Sequence, residues 1–529
     1  MENKFNIEEL NLSIDELARI TEYLLGKGTK ANTLQELKEK VEAKNNKTLM
    51  TDFYELTMAQ TYFDKGEQNK KVYFDVFFRK NPFEGGYAIS GGLDTIIDYV
   101  NNFRITEEDI EYLRSTEKLS EKFLTYLKDL KFTGDIYAVP DGTPIFPNEP
   151  AITVRANIIE AQLIETALLA NFNHGTLVTT AAKRITTAAG DVPVMEFGAR
   201  RARGVDSAVE ASKLAYVGGC IGTSNVLAGK RYGVPVLGTM AHSMICDADS
   251  EYEAFLDYAK SNPNNCVFLV DTYDTLKSGV PNAIRVAQEY LVPNGYKLKG
   301  IRIDSGDLAY LSIGARKLLD QAGFTDATIC LSNGLDEKTI RSLKEQGAFI
   351  DSIGAGDNIA AAKERVGGVY KLVAVEQGTE IIPKIKLSND AIKVINPGHK
   401  KVYRFYDKDT GFALGDVIAL ADEIIPADKY TLVSPVEEWK TTEITNYVVK
   451  ELQVPVFKDG KQVYEVPAVA MRREYCKEQF ATIYPEVKRE LNPHEYYVDL
   501  TVKLLKLKKE LITKYRGETV LELGRGYHA

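Results

Sequence analysis

The residue whose type and position best suit chemistry is a histidine. The sequence holds only five histidines among 529 residues, and His242 alone follows closely on an apolar run, residues 234–237, and lies among small residues. A histidine in such a loop can serve as a general base. The alternative is a histidine that only caps or packs the loop, because local context rarely distinguishes the two roles.

Acidic side chains follow other short apolar runs. Asp271 and Asp274 come after one run, and Asp304 and Asp307 come after the next. We expect these carboxylates to orient sugar hydroxyls and a hydrated magnesium ion, which prefers a few carboxylates together with substrate phosphates. The same strand ends offer no lysine placed to form a Schiff base and no His/Cys/carboxylate cluster for a structural or hydrolytic metal.

Three arginines are the cations available to an anionic substrate: Arg200, Arg201 and Arg302. Arg302 precedes Asp304 by two residues, so the two side chains share one face of a strand. A purely structural salt bridge between them is the alternative to a binding role. Two turns, Ser332-Asn333-Gly334 and Gly354-Ala355-Gly356, have the composition of loops that bind phosphate through backbone N–H groups.

The elements that must position these residues are six successive units of strand, loop and helix, a rhythm that favours a barrel over an open sheet. The apolar runs are residues 192–195, 234–237, 267–270, 301–303, 329–331 and 350–353. In a barrel the loops after the strands converge on one face. We therefore expect one pocket to be ringed by Phe197, His242, Asp271, Asp304, Asn333 and Gly354.

The rest of the chain divides by pattern into further regions. Residues 1–47 predict two amphipathic helices, residues 48–180 an α+β domain, residues 181–385 the barrel, and residues 386–529 a region of β hairpins and helices packed on the α+β domain. A helix begins at Thr51 or Asp52 and continues through Phe63, and its aromatic residues suit core packing.

A second candidate phosphate loop lies at residues 407–411, where two acids precede Thr410-Gly411. Such a loop needs a helix after it, whereas strand-like residues flank this segment on both sides. We therefore predict a hairpin turn.

The composition excludes several classes of function. The formal net charge is -9, which argues against a nucleic-acid or anionic-membrane surface. Five scattered cysteines indicate free thiols in a reducing cytosol. The sequence has neither a signal-peptide pattern nor an uncharged run of about 18 residues. We therefore expect a cytoplasmic protein.

Six motifs taken together resemble the nicotinate phosphoribosyltransferase family. They are LMTDFYELTMA at 49–59, EFGARR at 196–201, SNVLAG at 224–229, GTMAHS at 238–243, RIDSGDL at 302–308 and GGVYKLV at 367–373. The resemblance implies an α/β fold in which an incomplete (β/α) barrel, of the type II phosphoribosyltransferase kind, joins an α+β domain. It also implies a homodimer with shared active sites.

The resemblance further implies the reaction. Nicotinate condenses with phosphoribosyl pyrophosphate to nicotinate mononucleotide and pyrophosphate, in NAD salvage, with Mg²⁺ and with ATP hydrolysis that proceeds through a phosphohistidine. His242 matches the phosphorylated histidine, and Tyr54 matches a nicotinate contact supplied by the other subunit. Thr239 and Arg302 match further nicotinate contacts, and Phe197 matches the ring-stacking residue.

The remaining roles combine this resemblance with the residue types. Asp271 and Asp304 are the candidates for stabilising a cationic ribosyl transition state. The phosphate-binding candidates are Arg200, Ser332, Asn333, Gly334, Gly354, Gly356 and Asp357. Many family members have threonine where this chain has Asp357, and an acid there repels phosphate unless it faces away or binds magnesium.

Two alternatives remain at this point. One is a nicotinamide-specific or quinolinate-specific phosphoribosyltransferase, in which strand ends of a barrel also form the site. The other is a catalytically degenerate barrel that serves as a binding protein, since function follows the site more than the fold.

Overall fold

The computed structural model describes residues 46–388, 393–434 and 439–516. The two predicted helices of the N-terminal extension fall almost wholly outside the described residues. Within the described part, the chain is an α/β protein. Among those residues, none of the helices is long and apolar enough to cross a bilayer.

The first part of the chain alternates strands and helices. It forms α1 (Phe53–Asp64), β1 (Lys71–Phe77), β2 (Ala88–Ile89), α2 (Leu93–Asn101), α3 (Glu107–Ser115), α4 (Glu121–Lys128), β3 (Asp135–Ala138), β4 (Pro144–Ile145), β5 (Ile152–Asn157), α5 (Ile158–Leu163) and α6 (Glu165–Ala189). The helix predicted to begin near Asp52 is confirmed as α1, for which Asp52 is the N-cap residue.

Helix α6 contains a glycine that packs tightly against a neighbouring loop. A Cβ on Gly175 would lie 2.2 Å from the carbonyl oxygen of Gly91, so only glycine allows this approach. The helix ends at Gly190, whose φ of +63° suits glycine after a helix.

The middle of the chain repeats short strands and helices. It forms β6 (Val194–Glu196), α7 (Val205–Val217), β7 (Gly222–Thr223), α8 (Val226–Tyr232), α9 (His242–Asp247), α10 (Glu251–Ser261), β8 (Val267–Leu269), α11 (Val280–Val286), β9 (Gly300–Ile303), α12 (Leu308–Gln321), β10 (Thr328–Ser332), α13 (Glu337–Glu345), β11 (Ser352–Ala355) and α14 (Asp357–Ala360).

Six of these strands form one parallel sheet in the order β7-β6-β11-β10-β9-β8. The last strand of the repeat, β11, pairs with the first, β6, in the register Ile353 to Val194. Consecutive strands from β8 to β11 are also neighbours, so β7 and β8 are the two edge strands of this sheet. Its buried face carries a large apolar core that includes Phe255, Phe268 and Ile301.

The predicted strand at residues 234–237 is wrong. Only an isolated parallel bridge joins Val236 to Thr223, and the strand that fills this place is the two-residue β7. Pro235 lacks the N–H that a regular ladder needs, which explains why pairing is limited to the carbonyl of Pro235 and the N–H of Leu237.

The last part of the chain is mostly strands. It forms β12 (Val369–Gln377), β13 (Glu380–Pro383), β14 (Lys400–Asp407), β15 (Ala413–Leu420), β16 (Lys429–Val433), β17 (Thr441–Thr445), β18 (Tyr447–Glu451), β19 (Val454–Lys458), β20 (Lys461–Gln462), α15 (Val469–Ala481), β21 (Val498–Leu500) and α16 (Val502–Arg516). The hairpin predicted around residues 407–411 is confirmed as antiparallel β14 and β15. Asp407 accepts the backbone N–H of Thr410 at 2.7 Å and so closes the turn.

Late strands complete the sheet that the early strands begin. The seven-stranded sheet has the order β13-β12-β1-β5-β3-β19-β20. Strand β12 pairs antiparallel with β1, and β19 pairs antiparallel with β3. Residues 369–383 therefore belong with the first sheet and not with the parallel sheet, although they lie before residue 385.

Candidate active site

His242 is the first residue of the short helix α9, and its ring faces two carboxylates. Its Nδ1 lies 3.1 Å from Thr272 Oγ1. Its Nε2 lies 3.9 Å from Asp271 Oδ1 and 4.0 Å from Asp304 Oδ2. The side chain is 42% exposed, so the ring is held by specific contacts and still reaches solvent. The ring is therefore oriented toward the two carboxylates and remains accessible to solvent.

Asp271 and Asp304 are arranged with one oxygen bonded and one directed toward His242. The side chain of Asp271 is buried, and its Oδ2 accepts the backbone N–H of Asp304 at 3.2 Å and the hydroxyl of Ser305 at 2.5 Å. Its Oδ1 has no hydrogen-bond partner among the described residues. A buried carboxylate oxygen in that state is a ready acceptor for a cation or a donor group.

Arg302 is held by three partners from neighbouring strands and loops. Its Nε donates to Ser332 Oγ at 2.8 Å, its Nη2 to Asp304 Oδ1 at 2.8 Å, and its Nη1 to Thr239 Oγ1 at 3.5 Å. The salt bridge suggested by strand parity therefore exists. Only 12% of the side chain is exposed, and its Cζ lies 5.4 Å from the centroid of the Phe197 ring. The guanidinium of Arg302 and the ring of Phe197 therefore lie together at the ends of β9 and β6.

Phe197 is positioned by a buried glutamate that sequence reasoning missed. Glu196 accepts the hydroxyls of Ser212 at 3.0 Å and Thr223 at 2.6 Å, and it also accepts the backbone N–H of Gly198. Burial raises the pKa of the Glu196 carboxyl, and these three donors oppose that shift. The available signal was an acid immediately before the aromatic residue in the EFGARR motif.

Two glycines let the Phe197 loop pack against the loop after β11. A Cβ on Gly354 would lie 2.7 Å from Phe197 Cδ2, and a Cβ on Gly356 would lie 3.0 Å from the Phe197 carbonyl oxygen. The backbone N–H of Phe197 donates to the carbonyl of Ala355 at 2.7 Å. The predicted convergence of these loops is therefore present.

The loop after β10 lies beside the same edge. Asn333 and Gly334 both have positive φ, at 103° and 59°, which turns the chain sharply after Ser332. The amide of Asn358 donates to the carbonyl of Gly334 at 2.8 Å and ties this loop to the one after β11.

Asp357 forms an ion pair with an arginine. Its Oδ1 lies 3.3 Å from Arg201 Nε, and both side chains are more than half exposed. The neighbouring Arg200 is exposed in the turn Ala199–Arg201. The negative charge of Asp357 is therefore offset by Arg201, which leaves the Arg200 guanidinium and the backbone for an anion.

Two of the four acids considered for substrate hydroxyls or magnesium cap helices instead. Asp274 accepts the backbone N–H groups of Leu276 and Lys277, and Asp307 accepts that of Tyr310 at 3.0 Å. An acid just before a helix satisfies otherwise unpaired N–H groups, which explains both positions. Among residues 46–388, 393–434 and 439–516, no cluster of three or more His, Cys, Asp or Glu side chains is arranged to hold a metal ion.

Tyr54 stands apart from the other predicted nicotinate contacts. It lies on α1, its side chain is 47% exposed, and the exposed Met50 and Phe53 are its neighbours in sequence. Burial and then the charge of Glu165 raise the pKa of its hydroxyl. None of its described contacts reaches the Arg302 group within one chain.

Comparison with known proteins gives the same assignment along most of the chain. Residues 49–173 match the nicotinate phosphoribosyltransferase N-terminal domain, residues 192–359 match the nicotinate phosphoribosyltransferase family, and residues 399–508 match the C-terminal domain. Five of the six motifs lie within these ranges, and the motif at residues 367–373 lies outside them.

Individual relatives extend this result. Nicotinate phosphoribosyltransferase of Bacillus subtilis is 44% identical over 457 residues, which cover 86% of this chain and 93% of that protein. The crystal structure of human nicotinic acid phosphoribosyltransferase has a TM-score of 0.77 at 30% identity and covers 87% of this chain and 99% of that one. A nicotinate-nucleotide pyrophosphorylase from Pyrococcus furiosus shares the fold, with a TM-score of 0.63 at 23% identity over 86% of this chain and 98% of that one. This chain therefore belongs to the nicotinate phosphoribosyltransferase family.

Proposed function

We propose that the protein condenses nicotinate with phosphoribosyl pyrophosphate to form nicotinate mononucleotide and pyrophosphate, as a step of NAD salvage. The observation that carries this proposal is the slot formed by Arg302, Phe197 and Thr239. An aromatic carboxylate fits it, because the pyridine ring stacks on Phe197 while the guanidinium and the hydroxyl bind the carboxylate. The neutral amide of nicotinamide would leave the charge of Arg302 less well matched.

The chemistry needs positioning more than proton transfer. The pyridine nitrogen has no proton to lose, so it attacks the anomeric carbon of the ribose directly while the bond to pyrophosphate breaks. The carboxylates of Asp271 and Asp304 stabilise the positive charge that develops on the ribosyl group. Because Asp271 is fixed by the backbone of Asp304 and by Ser305, little reorganisation is required.

Magnesium fits the donor set on this face. Asp271 Oδ1 is buried without a partner among the described residues, and Asp304 Oδ2 points at the same ring nitrogen of His242. Two carboxylates suit a hydrated Mg²⁺ whose other ligands are substrate phosphates. When bound, the ion neutralises the leaving pyrophosphate. The phosphates then bind along the neighbouring edge, which is formed by Arg200, Ser332, Asn333, Gly334, Gly354, Gly356 and Asp357. The hydroxyl oxygen of Ser332 already accepts a hydrogen bond from Arg302.

ATP acts through His242 in this proposal. A ring nitrogen attacks the γ-phosphorus, the bond to ADP breaks, and the phosphorylated histidine carries about two negative charges over the site. Thr272 holds Nδ1 and so orients the ring for this step. The added charge changes the position of the loop before α9, and a change of about 1.4 kcal/mol in that equilibrium alters substrate affinity tenfold.

We further propose a homodimer in which Tyr54 of one subunit completes the slot of the other. Its exposure together with Met50 and Phe53, away from the Arg302 group of its own chain, supports this arrangement. We propose that the parallel sheet is an incomplete barrel, open between Val236 and β8. The domain limits of 48–180, 181–385 and 386–529 are retained as a proposal, except that residues 369–383 join the first domain. Cytoplasmic location likewise rests on the free cysteines.

One assay tests the function. The purified full chain is incubated with phosphoribosyl pyrophosphate, Mg²⁺ and either nicotinate, nicotinamide or quinolinate, with and without ATP, and the mononucleotide and pyrophosphate formed are measured. Nicotinate turnover that ATP stimulates is the expected result. Turnover of nicotinamide or quinolinate in preference, or no pyrophosphate above background, contradicts the proposal.

A further inference from the structure

Two lysines lie against one buried phenylalanine. Lys183 Nζ is 4.7 Å from the centroid of the Phe480 ring, and Lys488 Nζ is 4.6 Å from it. The two ammonium groups are therefore within about 10 Å of each other. Each ammonium can interact with the ring, but an aromatic ring does not neutralise a full charge.

This group lies at the end of the parallel sheet opposite His242. Lys183 is near the C-terminal end of α6, which leads into the start of β6. The adjacent Arg473 donates to the carbonyls of Gly219 and Cys220, which precede the start of β7. The residues of the candidate active site follow the carboxyl ends of the same strands, so the two places are separated by the length of the sheet.

The neighbouring cations each have an acidic partner, whereas these two lysines do not. The neighbouring pairs are Arg184 with Glu337 at 2.7 Å, Arg341 with Glu490 at 2.5 Å and Arg473 with Glu474 at 3.1 Å. The ammonium groups of Lys183 and Lys488 make no ion pair or hydrogen bond with any residue that the structure describes. The region is thus complete in its local charges except at these two positions.

We propose that Lys183 and Lys488 form a binding site for a small dianionic oxoanion of the phosphate class, distinct from the catalytic face and independent of the proposed function. Two like charges near one ring repel each other, and a dianion that contacts both ammonium groups offsets both charges. An oxoanion has several acceptor oxygens and so can reach two ammonium groups at once, which a single chloride ion does less well.

The protonation of the lysines supports this geometry. Burial lowers the pKa of Lys183, and burial together with the charge of Lys183 lowers the pKa of Lys488 to about 8. Lys183 also lies near the thiols of Cys220 and Cys476, whose pKa values burial raises, so neither thiol supplies a negative charge at neutral pH. A bound dianion would return the pKa of Lys488 toward its ordinary value.

A site-resolved labelling experiment tests the proposal. The full-length protein is treated at pH 8 with a trace of acetic anhydride, in chloride or in inorganic phosphate at equal ionic strength, and mass spectrometry follows Lys488 relative to the exposed Lys477. Phosphate is expected to slow Lys488 labelling about fivefold if it raises the pKa by one unit from about 8, because only the neutral amine reacts and its fraction at pH 8 falls from about one half to about one tenth. An unchanged ratio of Lys488 to Lys477 overturns the proposal.

Two variants test the proposed site independently of the labelling of the unchanged protein. Lys183→Gln should abolish the effect of phosphate on Lys488, and an effect that persists at full size contradicts a shared site. Lys488→Met should raise Tm in chloride, because one of two repelling charges is removed, and should reduce the increase in Tm that phosphate gives. Lys477→Met is the matched control, since phosphate binding elsewhere affects both variants alike. Equal phosphate-dependent increases in Tm in both variants count against the site.

Discussion

The guanidinium of Arg302 lies over the ring of Phe197, with 5.4 Å between Cζ and the ring centroid, while its nitrogens donate to Ser332, Asp304 and Thr239. This pair ties the aromatic wall of the slot to its cationic rim. Each residue comes from a different strand end, so the slot exists only when β6 and β9 are correctly placed.

Arg302→Lys should raise KM for nicotinate more than it lowers kcat. A lysine keeps the positive charge but lacks the planar guanidinium that donates several hydrogen bonds at once. The loss of one charge-assisted hydrogen bond costs about 1.5–3 kcal/mol, or roughly 10- to 100-fold in affinity. Steady-state kinetics with varied nicotinate measure this effect. Arg285→Lys is the control, since Arg285 also lies over an aromatic ring, Tyr252, at 4.1 Å but on an exposed helix. Equal effects of the two substitutions would contradict the slot.

His242→Ala should retain slow condensation without ATP and lose its stimulation by ATP. Asp271, Asp304 and Arg302 contact one another without the imidazole. We therefore expect the condensation without ATP to continue in this variant. Rates with and without ATP, together with detection of an acid-labile phosphoprotein, provide the measurement. A variant that ATP still stimulates fully excludes phosphorylation of His242 as the coupling step.

Thr272→Val should weaken stimulation by ATP about fivefold, which corresponds to the roughly 1 kcal/mol of one neutral hydrogen bond. Valine keeps the size of the side chain but cannot bond to His242 Nδ1. Thr272→Ser retains the hydroxyl and should restore most of the stimulation. If serine and valine behave alike, the hydroxyl does not orient the imidazole.

Gly354→Ala should raise KM for nicotinate by displacing Phe197. The new methyl group would lie 2.7 Å from Phe197 Cδ2 and 3.1 Å from Ser332 Cβ, so the ring must move. Such overpacking also costs about 1–3 kcal/mol of stability. Gly367→Ala serves as the control because nothing lies within 4 Å of the added Cβ. Unchanged KM in Gly354→Ala would show that the Phe197 ring is not needed in that place.

Asp499→Asn should stabilise the protein at alkaline pH. Burial raises the pKa of Asp499 from 3.8 to about 6. The protonated carboxyl therefore favours the folded state fully below pH 3.8, and this contribution is lost as the pH rises through about 6. The difference corresponds to at most roughly 3 kcal/mol at pH 8 and about half of that at pH 5.

Denaturant unfolding of both proteins at pH 5 and pH 8 measures the Asp499 effect. Asp326→Asn is the control because Asp326 is exposed and pairs only with Lys297 on the surface. A stabilisation by Asp499→Asn that does not change with pH would contradict a titrating carboxyl.

The sequence predicted the convergence of the site because strand ends of a parallel repeat meet at one edge. The argument holds for Phe197, Asp271, Asp304 and Gly354, because each lies at or within a few positions of the end of its strand and the topology alone nearly fixes its place. His242 is the exception, because the segment before it joins the sheet only through the bridge of Val236 to Thr223.

The predictions that differ from the structure do so for local physical reasons. Residues 234–237 have a strand-like composition, but Pro235 removes a ladder donor, and composition does not report that loss. Asp274 and Asp307 had the same residue type and spacing as Asp271 and Asp304, and only the backbone geometry shows that they cap helices. Thr272 acts through a contact with His242, which is distant in sequence, and no local pattern encodes that contact.

The return of β12 to pair with β1 also affects how the protein is made. Tyr73 on β1 lies opposite Ala374 on β12, about 300 residues later in the chain. At a synthesis rate of about 5–20 residues per second, one edge of β1 waits roughly 15–60 s on the ribosome for its partner. An unpaired strand edge favours aggregation during that interval. The first sheet is therefore completed only after residues 369–377 have been synthesised, and until then one edge of β1 is open to pairing with other chains.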